Sequence, residues 1–403
     1  MRILFVAMAN SIHTCRWVNQ VTDQGWDVHL FPIWWPGIHP GFKNVTVHES
    51  LYQRPPNLDP SIRIKGLKWP FSTGFGLANY ALGILPRSYL WVDPAHRLAN
   101  TIRRLKPDIV QSLEIQHAGY LTLDAKKLLA GKFPAWIVTN WGNDIYLFGR
   151  LDEHIDKIKD VLSSCDYYSC ECQRDVQLAI QMGFKGQTLP VLPNAGGYNL
   201  ARLAEFRQPG PTSARRLILL KGYQDWHGRA LVGLHAIELC ANALKGYRVG
   251  IYVANPDVKI AAELVSKSTG IPIEVIPQCS HDDMLRQYGR ARVYIGLSIS
   301  DGISISELEA IMMGTFPIQS CTACADEWIV DGQTGFIVPP EDPETVAAAI
   351  RRAVSDDTLV DHAAELNAKV ARERLDQAII KPQVIAMYKK VAAHGAVKRG
   401  QVK

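Results

Sequence analysis

The 403-residue chain is predicted to form two α/β units, each a doubly wound parallel sheet. Three observations carry this. Strand-like apolar runs alternate with helix-like stretches almost from end to end. The alternation stops once, at a Pro- and Gly-rich segment, and then restarts. The length also exceeds what one core sustains, since cores stop growing at roughly 250–300 residues.

Arg2–Met8 is a continuous apolar run, as expected of a strand buried on both faces. A helix is expected at Thr14–Gln24, closed by Gly25, and then a strand at Asp27–Phe31. Further strands are expected at Asp108–Leu113, Ala135–Thr139 and Thr188–Leu192, with helices at Pro94–Lys106, Ala118–Leu129 and Asp152–Ser163. Pro193–Ser213 ends in Pro209-Gly210-Pro211 and has the composition of a linker. The second half is expected to have strands at Arg216–Leu220, Tyr247–Ala254, Pro272–Ile276, Val293–Leu297 and Phe316–Gln319. Its helices are expected at Arg229–Leu244, Asp257–Ser268, His281–Gly289 and Ser306–Met313. A final helical stretch, Leu375–Ala393, carries Pro382, where a bend is expected. The expected organisation is a first domain at 1–200, a linker at 201–214 and a second domain at 215–374. A helix at 375–395 would pack back on the first domain, followed by a basic tail at 396–403. Open α/β sheets bind ligands at the C-terminal edges of their strands, so function is expected where two such edges face.

Composition narrows the class. Hydrophobic residues make up 47% and charged residues 21%, as in soluble globular proteins, and a net charge of +5 is too mild to argue for nucleic acid. The first apolar run is too short for a signal peptide, so a cytoplasmic protein is expected. Cys321-x-x-Cys324 lacks a second Cys or His pair nearby, so buried reduced thiols are expected and no metal. One segment breaks the alternation: Ser61–Trp91 carries Arg63, Lys65, Lys68 and Arg87, no acid, and interleaved aromatics such as Trp69, Phe71 and Tyr80. That mixture suits peripheral contact with a membrane interface. A partly buried insertion packed on its own domain is the alternative.

The chemistry is concentrated in Ser298–Ala310. A strand there runs into the turn Asp301-Gly302 and then a helix opened near Ser304 and Ser306. Free amides and the helix dipole make such a start an anion site. Asp301 and Glu309 stand eight residues apart and bracket it. A purely structural explanation is equally open, since Ser304-x-x-Glu307 and Ser306-x-x-Glu309 both match the capping box.

The stretch Ser298–Ile350 resembles the donor-binding half of the retaining glycosyltransferases of family 4. The resemblance runs through Asp301-Gly302-Ile303-Ser304-Ile305-Ser306-Glu307-Leu308-Glu309-Ala310 and Met313-Gly314. It continues through Glu327–Pro340 and the helix after Asp342-Pro343-Glu344. It implies the GT-B fold: two Rossmann-like, doubly wound domains facing across a cleft, with a C-terminal helix crossing back to the first. It implies that Glu309 binds the donor ribose. Gly302, Ile303, Ser304, Ile305 and Ser306 would contact the donor sugar and diphosphate through their backbone. Asp301 stands where the family usually has glutamate, one methylene longer. Lys221 and Arg229, in Lys221–Arg229 (KGYQDWHGR), lie where relatives carry the cations that neutralise the departing diphosphate.

The first half resembles the family less tightly. Asn10 and Ser11 fall where relatives bring a turn and helix toward the donor phosphate, without the usual glycine pair. His117 matches a histidine near the reacting sugar, and Asp144 is expected to orient a site residue or to cap a helix. Base recognition is expected around Ile276–Gln278. The expected activity is retaining, metal-independent transfer from a nucleotide diphosphate sugar to a glycan or lipid-linked acceptor in bacterial surface-polysaccharide assembly. The alternatives are a GT-B sugar-nucleotide epimerase and a non-catalytic sugar- or nucleotide-binding protein. An NAD-dependent dehydrogenase is disfavoured because no G-x-G-x-x-G follows the first strand.

Overall fold

The structure, a computed structural model, describes residues 1–33, 37–70, 74, 77, 93–131 and 133–400, with 396–400 described by backbone alone. It divides into two compact units, Met1–Gly196 with Lys381–Lys403, and Gly197–Ile380.

In the first unit the strands are β1 (Arg2–Ala7), β2 (Asp27–Pro32), β3 (Thr46–Tyr52), β4 (Arg63–Lys68), β5 (Ile109–Leu113), β6 (Ala135–Thr139), β7 (Tyr167–Ser169) and β8 (Gln187–Thr188). They form one parallel sheet in the order β4-β3-β2-β1-β5-β6-β7-β8. Strand order reverses between β1 and β5, the position at which such sheets open a ligand crevice. Ile3 to Ala7 are fully buried, as a strand covered on both faces requires.

In this unit three strands are additional to the sequence expectation. β3 and β4 carry His48, Glu49, Arg63, Lys65 and Lys68, which mask their apolar alternation. β4 is the sheet edge, and its exposed cations discourage pairing with another chain. The basic start of Ser61–Trp91 is therefore part of this sheet. The remainder of that segment, apart from 69, 70, 74 and 77, lies outside the described residues. β7 has only three residues, too few for a period to register. The expected strand at 188–192 is paired only at its start, in β8.

The last helix, Gln377–Gly400, holds Pro382 within it, and from Lys381 onward it belongs to the first unit. Tyr388 is fully buried. Trp17 Nε1 donates to its hydroxyl at 2.9 Å, and that hydroxyl donates to Gln111 Oε1 on β5. Phe5 and Trp26 meet the Tyr388 ring edge-on.

The second unit holds β9 (Leu217–Lys221), β10 (Arg248–Tyr252), β11 (Ile273–Val275), β12 (Ala291–Gly296), β13 (Phe316–Ser320) and β14 (Phe336–Val338). This sheet is also parallel, in the order β11-β10-β9-β12-β13-β14, and reverses between β9 and β12. Residues 201–214, expected as a linker, are bonded into this unit. Thr212 Oγ1 donates to Gly314 O at 2.6 Å, Ser213 Oγ donates to Asp361 at 2.7 Å, and Gln208 N donates to Gly289 O at 3.0 Å. The prolines and glycines there shape local turns between anchored residues. All eight cysteines are free thiols, and six are buried. Among the described residues no helix is long and apolar enough to cross a membrane.

Candidate active site

The β9 and β12 loops knit together at the reversal point of the second sheet. Arg229 N donates to Leu297 O at 3.1 Å and Ile299 N to His227 O at 2.9 Å. Gly228 is required there, because a β-carbon on it would strike the Tyr223 carbonyl. Between the loops lies a cavity of about 10 Å³, lined by Lys221, Tyr223, His227, Ser298, Ser304 and Gln319 among others. That is room for about one water. Lys221 ends β9 with its ammonium 5.0 Å from the Tyr223 ring centroid, and it makes no ion pair among the described residues. Burial, more than any neighbouring charge, holds His227 below the usual histidine range.

Arg229 is placed differently from Lys221. Its Nε donates to Glu341 Oε1 at 2.8 Å and its Nη1 to Gly228 O at 2.9 Å, and it does not line the cavity. The structure brings Lys221 together with Ser304 at the start of the helix and keeps Arg229 engaged with Glu341.

That helix spans Ile305–Met312, with Ser304 at its N-cap position. Neither capping box forms. Ser304 makes no side-chain cap bond, and its hydroxyl instead lies 3.4 Å from Tyr294 Oη. Glu307 is fully buried, and both its carboxyl oxygens lack a hydrogen-bond partner. Burial, reinforced by the charges of Asp301 and Asp326, pushes the Glu307 carboxyl well above the usual carboxylate range. Glu309 is almost fully buried and bonds His281 Nε2 at 2.6 Å. His281 begins the helix His281–Arg290, capped by Ser280. Asp301 Oδ1 accepts from Gly302 N at 2.9 Å, and its own amide donates to Thr322 O at 3.3 Å. Gly302, Ile303 and Ser304 are buried, while Ile305 and Ser306 are half-buried. Gln278 is exposed, on the loop beyond β11.

In the first unit, the ends of β1, β5 and β6 carry the other expected residues. Ser11 caps the helix Ile12–Asn19, accepting from His13 N at 3.2 Å and Thr14 N at 3.4 Å, and Asn10 beside it is exposed. His117 lies on a single π-turn, Ile115–Gly119, just beyond β5. Glu114 precedes it at φ 84°, a left-handed setting that is strained for a residue with a side chain. Its carboxylate accepts from His117 N at 2.7 Å and Ala118 N at 2.5 Å, and lies 3.1 Å from His117 Nδ1. The bond to Glu114 raises the His117 pKa, against the lowering effect of burial. Asp144 Oδ2 accepts from Ile115 N at 3.0 Å and Trp141 N at 2.8 Å, clamping the loop that carries His117. Burial and the Glu114 charge push Asp144 above the usual range.

Sequence reasoning missed Glu114, His281 and Glu307. Glu114 and His117 form an i,i+3 pair at the end of a strand, a signal present in the sequence. The Glu309–His281 contact joins residues 28 apart and leaves no local trace.

Two parallel doubly wound units with a C-terminal helical extension define a GT-B-like fold. Residues 260–372 match the family described as glycosyl transferases group 1, and residues 2–50 match the one described as glycosyl transferase 4-like. Both stretches thus resemble glycosyltransferases of the group 1, family 4 type. No curated protein matches the sequence. Among solved structures, it is similar to a sucrose-phosphate synthase from Thermosynechococcus elongatus, with TM-score 0.69, 16% identity, and coverage of 98% of this chain and 100% of that one. It is similar to an α,α-trehalose 6-phosphate synthase from Burkholderia multivorans, with TM-score 0.69, 15% identity, and coverage of 99% and 98%. The Anabaena protein HepE in complex with UDP-glucose gives TM-score 0.64, 11% identity, and coverage of 97% and 100%. At these identities the likeness establishes the fold.

Proposed function

We propose that the second unit binds a nucleotide diphosphate sugar at the β9–β12 reversal and that the protein transfers the sugar with retention of configuration. The observation that carries this reading is Lys221, which makes no ion pair among the described residues, beside a helix start without a side-chain cap from Ser304. When the sugar departs, negative charge builds on the leaving diphosphate. Lys221 and the amides of Ser304 to Ser306 lie where they can take up that charge. Arg229 joins them once a phosphate displaces Glu341. Glu309, held by His281, binds the ribose hydroxyls, and the backbone near Gln278 receives the base.

The transition state has oxocarbenium character, as in glycoside cleavage. The bond from the anomeric carbon to the phosphate oxygen breaks as the acceptor oxygen attacks from the same face, and the acceptor proton passes to the leaving phosphate oxygen. His117 serves the reacting sugar, with Glu114 and Asp144 as positioning residues. Asp301 supports the loop through Gly302. UDP-glucose, the ligand of the Anabaena protein, is the first donor to test. A glycan or lipid-linked acceptor in surface-polysaccharide assembly, reached by peripheral contact with a membrane, suits the cationic β4 edge.

Thermal shift against a panel of nucleotide diphosphates identifies the base, because a ligand of the folded state raises its stability. NMR of the product then gives the anomeric configuration. An inverted linkage, or donor conversion with no acceptor present, overturns the reading.

A further inference from the structure

A cavity of about 740 Å³ lies within the first unit, on the β2–β3–β4 wing of the sheet. One wall is the helix Pro94–Leu105, which contributes Arg97, Arg103 and Arg104. The other is β3 and β4, contributing His48, Glu49 and Lys65. Arg97 and Arg104 are two turns apart and share a helix face. Arg2 Nη1 bonds Leu105 O, so the helix end lies beside the start of β1. The cavity thus runs along the helix, from Phe31 near the end of β2 to Leu105 beside the start of β1.

Cations outnumber carboxyls among its described lining residues. Lys65, Arg103 and Arg104 make no ion pair among the described residues. Arg103 is oriented by Asn100, and Arg97 lies over the Phe31 ring, 5.3 Å from its centroid. Glu49 is the one carboxyl among the described lining residues. Burial raises it to about 7 despite the Arg97 charge, so it offsets the cations only in part at neutral pH. His48 is bonded to His29 at 2.9 Å, and burial keeps its ring neutral.

We propose that this cavity is a second ligand site that takes a phosphate-bearing small molecule. Guanidinium forks match phosphate oxygens two at a time, and an ammonium adds a point charge. The volume fits a small-molecule site, too small for a polymer. Asn100 and Thr101 line the same space and supply hydrogen-bonding groups for hydroxyls, which suits a polyol phosphate. The phosphate can come from a soluble sugar phosphate or from the headgroup of an anionic lipid. The site does not depend on the donor reading, since all its residues lie in the first unit.

The test uses the full-length protein. Calorimetric titration with glucose 1-phosphate probes the soluble source. Flotation with phosphatidylcholine vesicles, with and without phosphatidic acid, probes the lipid source. Binding in either arm is expected, and the Lys65→Ala/Arg104→Ala variant should weaken it by at least tenfold. Lys221→Ala should leave it unchanged. Both variants are checked for an unaltered unfolding midpoint. No binding in either arm overturns the proposal, as does binding that persists in Lys65→Ala/Arg104→Ala or that is lost in Lys221→Ala.

Discussion

Replacing Glu307 by Gln should make the protein less sensitive to alkaline pH. The carboxyl is fully enclosed, with no hydrogen-bond partner on either oxygen and two acidic neighbours. It is therefore held protonated in the fold but ionises freely once the chain unfolds. Above the ordinary carboxylate range the unfolded state binds fewer protons, so stability falls as pH rises, until the raised folded-state pKa is reached. The loss is about 1.4 kcal/mol per pH unit. That loss accumulates only between the ordinary carboxylate range and the raised folded-state pKa. Gln has nearly the shape of the protonated acid and does not titrate. Wild type and Glu307→Gln should thus differ by under about 1 kcal/mol near pH 5 and diverge above it. Other buried acids, Asp144 and Glu49 among them, titrate alike in both proteins and cancel in the comparison. Urea unfolding at several pH values reads the difference as a midpoint shift that grows as pH rises, for a slope of about 2–3 kcal/mol/M. A difference that stays constant with pH would refute a protonated Glu307.

Lys221→Ala should cost at least about 100-fold in kcat, the scale of a lost charge stabiliser, whereas Arg229→Ala should cost less because Arg229 starts out paired with Glu341. Steady-state kinetics of the two variants rank them. Glu309→Gln should raise the donor KM about tenfold with kcat little changed, and His281→Ala should do the same more weakly. Asp144→Ala orphans the amides of Ile115 and Trp141, so a stability loss of about 2–3 kcal/mol is expected by denaturant titration. Glu114→Gln removes the carboxylate that raises His117, so the His117 resonance should titrate at lower pH by NMR.

Both parallel sheets were legible because their central strands are buried and largely apolar. β1, β5, β6, β9 and β12 fall within two residues of their expected bounds. The edges were not, since a strand open to solvent, such as β4, carries the charges of a surface. The Pro- and Gly-rich stretch before β9 misled for a related reason. Turn-forming residues report local bends and say nothing of side chains such as Thr212 that anchor them. At the helix start after β12, Ser304 and Glu307 have the right spacing for a capping box, but Glu307 faces the interior. Spacing cannot distinguish a side chain that curls back to the backbone from one that is buried. Glu309 and Lys221 were singled out through their motif and stand near the reversal of the second sheet. Their partners His281 and Tyr223 depend on tertiary packing or a loop path, and no periodicity encodes those.

Tyr388 has a consequence for the order in which the protein can be made. Its hydroxyl joins Trp17 to Gln111 in the core of the first unit, yet it is synthesised after all of Gly197–Ile380. A ribosome that has just finished the second unit has supplied every residue that unit needs, while the first still has an unfilled socket. The first part to emerge is therefore the last to close. Domains usually mature from the N-terminus during synthesis; here the first unit lacks the hydroxyl between Trp17 Nε1 and Gln111 Oε1 until its final helix is released.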